Sequence, residues 1–133
     1  MLMPLRQSVF TRWLPEHLCP YLAGLLILTA AVANFLFLAT GTRLDLSPDE
    51  AHYWEWATGS LTFAVRAPAV ICGGLLLGSL YVLTVEVFGR PRLGLAMVAF
   101  GLTLPLVMAG STLMTIDSPY TCCWGWALVF ALT

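Results

Sequence analysis

From Leu22 to Ala39 the chain has no charged side chain, and the interval without charge reaches from His17 to Arg43. A helix rising ~1.5 Å per residue over such a run crosses the ~30 Å hydrocarbon core of a bilayer. Two further apolar runs follow, Ala67–Val85 between Arg66 and Glu86, and Leu93–Ile116, where Gly101 and Pro105 are expected to bend the helix. A fourth opens after Asp117 and Pro119 and continues to Thr133. Only 10% of the 133 residues are charged and 59% are hydrophobic, against ~25% charged in an ordinary soluble domain. A water-soluble chain this small has too much surface for its volume to hide so many apolar side chains. Lipid is therefore the expected solvent.

The sequence predicts an all-α, multi-pass membrane protein of three to four transmembrane helices, with a short interfacial helix after the first span. Residues 1–133 form one membrane domain, with spans near 20–41, 67–86, 93–116 and 118–133. The outer loop is 43–66, and within it 47–57 is an acidic and aromatic helix. Arg6 and Arg12 precede the first span as they would in a signal peptide, but the run exceeds an h-region of ~7–15 residues and further spans follow it. A membrane anchor is the better description.

A net charge of −1 points to no nucleic-acid partner. Cys19, Cys72, Cys122 and Cys123 lie in or beside apolar runs, at a spacing that matches neither a disulfide framework nor a zinc site. They are expected to be small core residues of membrane helices. Gly74 and Gly78 form a small-xxx-small pair that lets another membrane helix approach closely, and Asn34 is expected to hydrogen-bond a neighbouring helix. Glu86 and Arg90 have the i,i+4 spacing of a helical ion pair, with Gly89 and Pro91 working against a continuing helix.

Basic residues in short loops set orientation. Arg6 and Arg12 precede the first span, and Arg90 and Arg92 join the second to the third. If each run crosses once, both pairs share the cytoplasmic side, and the N-terminus is cytoplasmic. The acidic loop and the junction holding Asp117 then emerge together on the opposite face. Asp49, Glu50 and Asp117, distant in sequence, share one membrane boundary.

The loop carries "LSPDEAHYWEW", Leu46–Trp56. Ser47 suits an N-cap, Pro48 a first helical residue and Glu50 the reciprocal acid of a capping box. Tyr53, Trp54 and Trp56 suit the interface between headgroups and hydrocarbon. A surface helix with a capped start satisfies all of these residue choices. So does a site. A carboxylate at the membrane boundary can take a proton from an incoming hydroxyl or amine, and two acids, Asp49 and Glu50, can hold a divalent metal cation beside a phosphate leaving group. Asp117, before Ser118 and Pro119, repeats the pairing of an acid with a helix start.

Three stretches carry a resemblance: "DLSPDEAHYWEWA", then "FAVRAPAV", then "GSTLMTIDSPYTCCWGWAL". From about Tyr21 to Thr133 the chain resembles the N-terminal part of bacterial lipid-linked-sugar glycosyltransferases. These are GT-C-type membrane enzymes related to protein O-mannosyltransferases and to the aminoarabinose transferase of lipid A. The resemblance implies transfer of a sugar from a polyprenyl phosphate carrier to an acceptor on the outer side of a plasma (inner) membrane. It implies that Asp49 is the catalytic base or a metal-associated carboxylate, that Glu50 is its companion, and that Asp117 is the second acidic position. Arg66 is placed to meet the carrier phosphate, because a guanidinium pairs well with phosphate oxygens; the other reading is an interfacial arginine that snorkels to water or balances the acidic loop. His52 and Tyr53 are further candidate substrate contacts, although a lone histidine on an aromatic interfacial helix also serves packing.

The pattern departs from the family in its first outer loop, which is short here and lacks an aromatic–proline segment like "YYDHPP". Against the resemblance, most of the family's later spans and its outer C-terminal domain are expected to be missing. An internally shortened N-terminal fragment is the expectation, with a non-catalytic membrane subunit or an inactive remnant as the alternative. The shared boundary is directly testable. Single cysteines introduced beside Glu50 and beside Ser118 are expected to react with a membrane-impermeant maleimide from the same compartment, and labelling from opposite compartments overturns the topology.

Overall fold

The computed structural model describes residues 14–40, 61–113 and 117–132. Among these residues there is no strand. A 3-10 turn, Glu16–Leu18, leads into α1, Cys19–Ala39; α2 is Leu61–Phe88, α3 is Pro91–Thr103, α4 is Pro105–Gly110 and α5 is Asp117–Leu132. The expected interfacial helix 47–57 lies outside the described residues. With 21 and 28 residues, α1 and α2 extend ~31 and ~42 Å at 1.5 Å per residue. Of the described helices, these two contain segments long and apolar enough to cross a membrane, Glu16–Ala39 and Arg66–Phe88.

The apolar segment of the second run is Arg66–Phe88, and the helix that carries it, α2, begins earlier, at Leu61, with Arg66 and Pro68 inside it. Leu61–Val65 is itself largely apolar, and Arg66 is 1% exposed and engaged by contacts, so its charge is sheltered and the helix need not end there. Pro68 removes only one rung of the hydrogen-bond ladder. The third run, expected as one bent helix over 93–116, is two pieces. Leu104 adopts φ −78° and ψ 119°, an extended conformation, because the ring of Pro105 crowds the α conformation of the residue before it. The amide of Leu104 closes α3 on the carbonyl of Gly101 at 3.2 Å.

The turn between α2 and α3 is built from glycine and proline. Gly89, at φ 62°, occupies the left-handed region that favours glycine. Its amide donates to the carbonyl of Val85 at 2.7 Å, which caps α2. Pro91 then opens α3 at a position where no amide is needed. This punctuation separates Glu86 from Arg90, which do not pair. Arg92 instead reaches back across the same end of the bundle. Its Nε donates to the carbonyl of Leu14 at 3.0 Å, and its Nη1 lies 3.7 Å from Glu16.

Burial is inverted relative to a water-soluble protein. The inside holds small and polar residues: Ala23, Ala69, Val70, Val98, Ser79, Ser111 and Arg66. Large apolar side chains face outward, among them Leu28 at 60%, Leu106 at 85% and Phe130 at 74% exposed. So continuous an apolar exterior is untenable in water and natural in hydrocarbon. Hydroxyls follow the same logic. Those of Thr29, Ser79 and Thr84 donate to carbonyls of their own helices, the usual solution where no water is available. The fold is that of an all-α, multi-pass membrane protein.

Every neighbour packs on α2. Gly74 faces Ile27 of α1 at 3.6 Å and Gly78 faces Trp126 of α5 at 4.0 Å, measured from where a Cβ would stand. Gly74 and Gly78 thus each meet another helix, as expected of a small-xxx-small pair, and here both helices belong to the same chain. α1 and α3 run antiparallel to α2. Along the α2–α3 contact, Gly94 sits on Tyr81 and Val85, and Gly101 on Leu77. α5 runs parallel to α2, with Gly125 against Ser79 and the indole Nε1 of Trp126 donating to the carbonyl of Leu75 at 3.2 Å.

A Cβ at Gly94 would lie 2.9 Å from two ring carbons of Tyr81, whereas one at Gly24 would meet nothing within 4 Å. Gly94→Ala is therefore expected to destabilise the detergent-solubilised protein by about 1–3 kcal/mol through overpacking. Gly24→Ala is expected to leave it unchanged or slightly more stable. Thermal denaturation of the two variants side by side checks this, and equal midpoints would refute the α2–α3 contact.

Candidate functional site

The two ends of the bundle differ in chemistry. At one end, the start of α1 meets the start of α3 through Glu16 and Arg92. At the other, α1 finishes, α2 begins, α4 finishes and α5 begins. Contacts between helices fix this second end. The Asn34 amide on α1 donates to the Ser111 hydroxyl at 3.1 Å, and that hydroxyl donates to the carbonyl of Met108 at 2.8 Å. A Cβ on Gly73 of α2 would collide with Cβ of Ser111, so the turn after α4 rests on the α2 backbone. The Ser118 hydroxyl then donates to the carbonyl of Gly110 at 2.9 Å, holding the start of α5 against the end of α4.

Asp117 is the first residue of α5 and is exposed. The amides of a helix's first turn have no partners within the helix, and the dipole there favours a negative charge. Thr121 closes this turn by donating its hydroxyl to the carbonyl of Asp117 at 2.7 Å. Asp117 is thus an acid on a rigid helix start, held in place by Ser118 and facing outward. Among the described residues it is the one carboxylate at this end, since Glu16 and Glu86 lie at the other.

Arg66 lies at the same end of α2 and is buried to 1% exposure. Its contacts engage it. A snorkelling arginine in open water does not match that burial. A guanidinium removed from water is costly unless its donors are satisfied, so its position inside the packed helices marks this end as the polar one. Arg66 and Asp117 belong to the two parallel helices, and both lie within the first two turns of their helix. The structure therefore brings these two candidates to one end of one helix pair.

Asp49, Glu50, His52 and Tyr53 lie outside the described residues. The segment that holds them leaves from the end of α1 and returns at the start of α2, the end that carries Arg66 and Asp117. Among the described residues no three His, Cys, Asp or Glu side chains gather into a metal-binding group; the metal ligands suggested by the sequence, Asp49 and Glu50, are not among those residues. Sequence reasoning found Asn34 as an inter-helix hydrogen bonder but not its partner Ser111, nor Ser118. Their signal was a hydroxyl next to a helix break, which is common in membrane helices and names no partner.

A family model for dolichyl-phosphate-mannose-protein mannosyltransferase matches residues 57–133. Comparisons with curated proteins and with solved structures find no match. The family match is narrower than the resemblance read from Tyr21 onward. It starts at Ala57, so Asp49, Glu50, His52 and Tyr53 lie outside it, and it includes Arg66, Ser111, Asp117 and Ser118. The matched segment takes in more than half of the sequence and includes α2–α5, so the chain belongs to the dolichyl-phosphate-mannose-protein mannosyltransferase family.

Proposed function

We propose that this chain acts in the transfer of a sugar from a polyprenyl-phosphate carrier to an acceptor at the extracytoplasmic face of a plasma (inner) membrane, with its N-terminus in the cytoplasm. Membership of a membrane glycosyltransferase family is the observation that carries this reading. The convergence of Arg66 and Asp117 on one end of α2 and α5 supports it.

A lipid-linked sugar presents its reactive bond at the membrane boundary, where its tail enters hydrocarbon and its phosphate meets water. In the reaction, the bond between the sugar's anomeric carbon and a phosphate oxygen breaks, and a new bond forms to the acceptor oxygen. The acceptor proton passes to a general base, and polyprenyl phosphate leaves with the electron pair. Asp49 is assigned as the base. Arg66 is assigned to the leaving phosphate, where a guanidinium fork in a poorly hydrated site counters the developing charge. Glu50 and Asp117 shape the site, and His52 and Tyr53 contact the substrate. A divalent cation, if bound by Asp49 and Glu50, would supply further charge neutralisation on the phosphate; the steps assigned above use only the chain's own side chains.

Sugar transfer from a labelled polyprenyl-phosphate donor, measured in membranes containing the chain, tests the assignment. Asp49→Asn is expected to lower the rate by about 10²- to 10⁴-fold. Arg66→Lys is expected to lower it as well, because an ammonium lacks the bidentate fork. Gly24→Ala serves as the control. A rate that survives Asp49→Asn unchanged removes Asp49 from catalysis, and membranes without any transfer favour a non-catalytic subunit or remnant.

A further inference from the structure

The packing of α5 on α2 brings together two cysteines that the sequence keeps fifty residues apart. The two helices are parallel and in register where Trp126 donates to the carbonyl of Leu75. One turn earlier on each helix stand Cys122 and Cys72. Cys122 occupies the same α5 face as Gly125 and Val129, at i, i+3 and i+7, and is 6% exposed. Cys72 shares its α2 face with Leu76 and Ser79, the two residues that Gly125 meets. The helix backbones run close here because Gly125 has no side chain: a Cβ would overlap the Ser79 hydroxyl. Cys122 and Cys72 therefore stand on the sides of the two helices that face each other. Cys123, the next residue, is exposed, and Cys19 begins α1 at the opposite end of the bundle.

We propose that Cys72 and Cys122 are an oxidisable dithiol that closes into a disulfide between α2 and α5. A disulfide needs Cα atoms about 4.4–6.8 Å apart, which the glycine-mediated approach of the two helices favours. Cys72 follows Arg66 by six residues and Cys122 follows Asp117 by five, so the two cysteines stand ~9 and ~7.5 Å along their helices from those two polar residues at 1.5 Å per residue. Closure forms one bond between the two Sγ atoms. Two protons and two electrons pass to an incoming disulfide, which is reduced to two thiols. The cross-link ties together the two helices that carry Arg66 and Asp117 and fixes their spacing from below. It requires nothing of the transfer reaction.

The test counts thiols in the full chain in its native membrane. Membranes are treated with diamide or with a reductant, then denatured and alkylated with a maleimide–polyethylene glycol that adds one step of mass per free thiol. The reduced chain is expected to show four additions and the oxidised chain two. Cys123→Ser is expected to fall from three to one. Cys72→Ser and Cys122→Ser are expected to keep three under both conditions. A digest of the oxidised wild-type chain is expected to yield one peptide pair linked through Cys72 and Cys122, a readout that does not depend on how any variant folds. Four additions after diamide overturn the proposal. So does protection that persists in Cys72→Ser, or a product of twice the chain mass in place of the internal link.

Discussion

Close approach to α2 is the constraint on which the rest of this bundle depends. In hydrocarbon no hydrophobic force drives one helix against another, because lipid is as apolar as leucine. Association relies on dispersion and on short hydrogen bonds, and both need backbones to come near. Here glycine makes the room. Gly73 and Gly74 admit the α4 turn and α1, Gly94 and Gly101 let α3 settle on Tyr81 and Leu77, and Gly125 lets α5 reach Ser79. The large side chains, freed from the interior, face outward into lipid.

Polar groups within such a bundle must be satisfied by protein, so their locations are informative. At the end where α1 finishes and α5 begins, Asn34, Ser111 and Ser118 form short hydrogen bonds that link three helices and steady the start of α5. Arg66 is buried at this end and Asp117 opens outward from it. Among the described residues, the opposite end is joined by Arg92, which donates to the carbonyl of Leu14 and lies beside Glu16; this partly exposed ion pair is screened by water and contributes little. One buried cation and one exposed, anchored acid thus stand at the same end of two parallel helices.

The break at Leu104–Pro105 has a structural consequence beyond interrupting a span. It lets α4 turn so that its last residues reach both Gly73 and Ser118.

The sequence by itself determined the helical class, the lipid environment and the existence of a polar end. Long runs without charge admit few other solutions when every backbone group must be bonded within its own segment. Asn34 was legible as an inter-helix hydrogen bonder for the same reason, since an amide in hydrocarbon must find a partner. The sequence did not determine where α2 begins, because a charge ends a helix only if nothing shelters it, and Arg66 is sheltered by packing that a hydropathy profile cannot contain. Nor did it determine what faces Gly74 and Gly78, or that Cys72 meets Cys122. Those depend on the register between helices far apart in the chain, and register is decided by which small residues let which backbones touch.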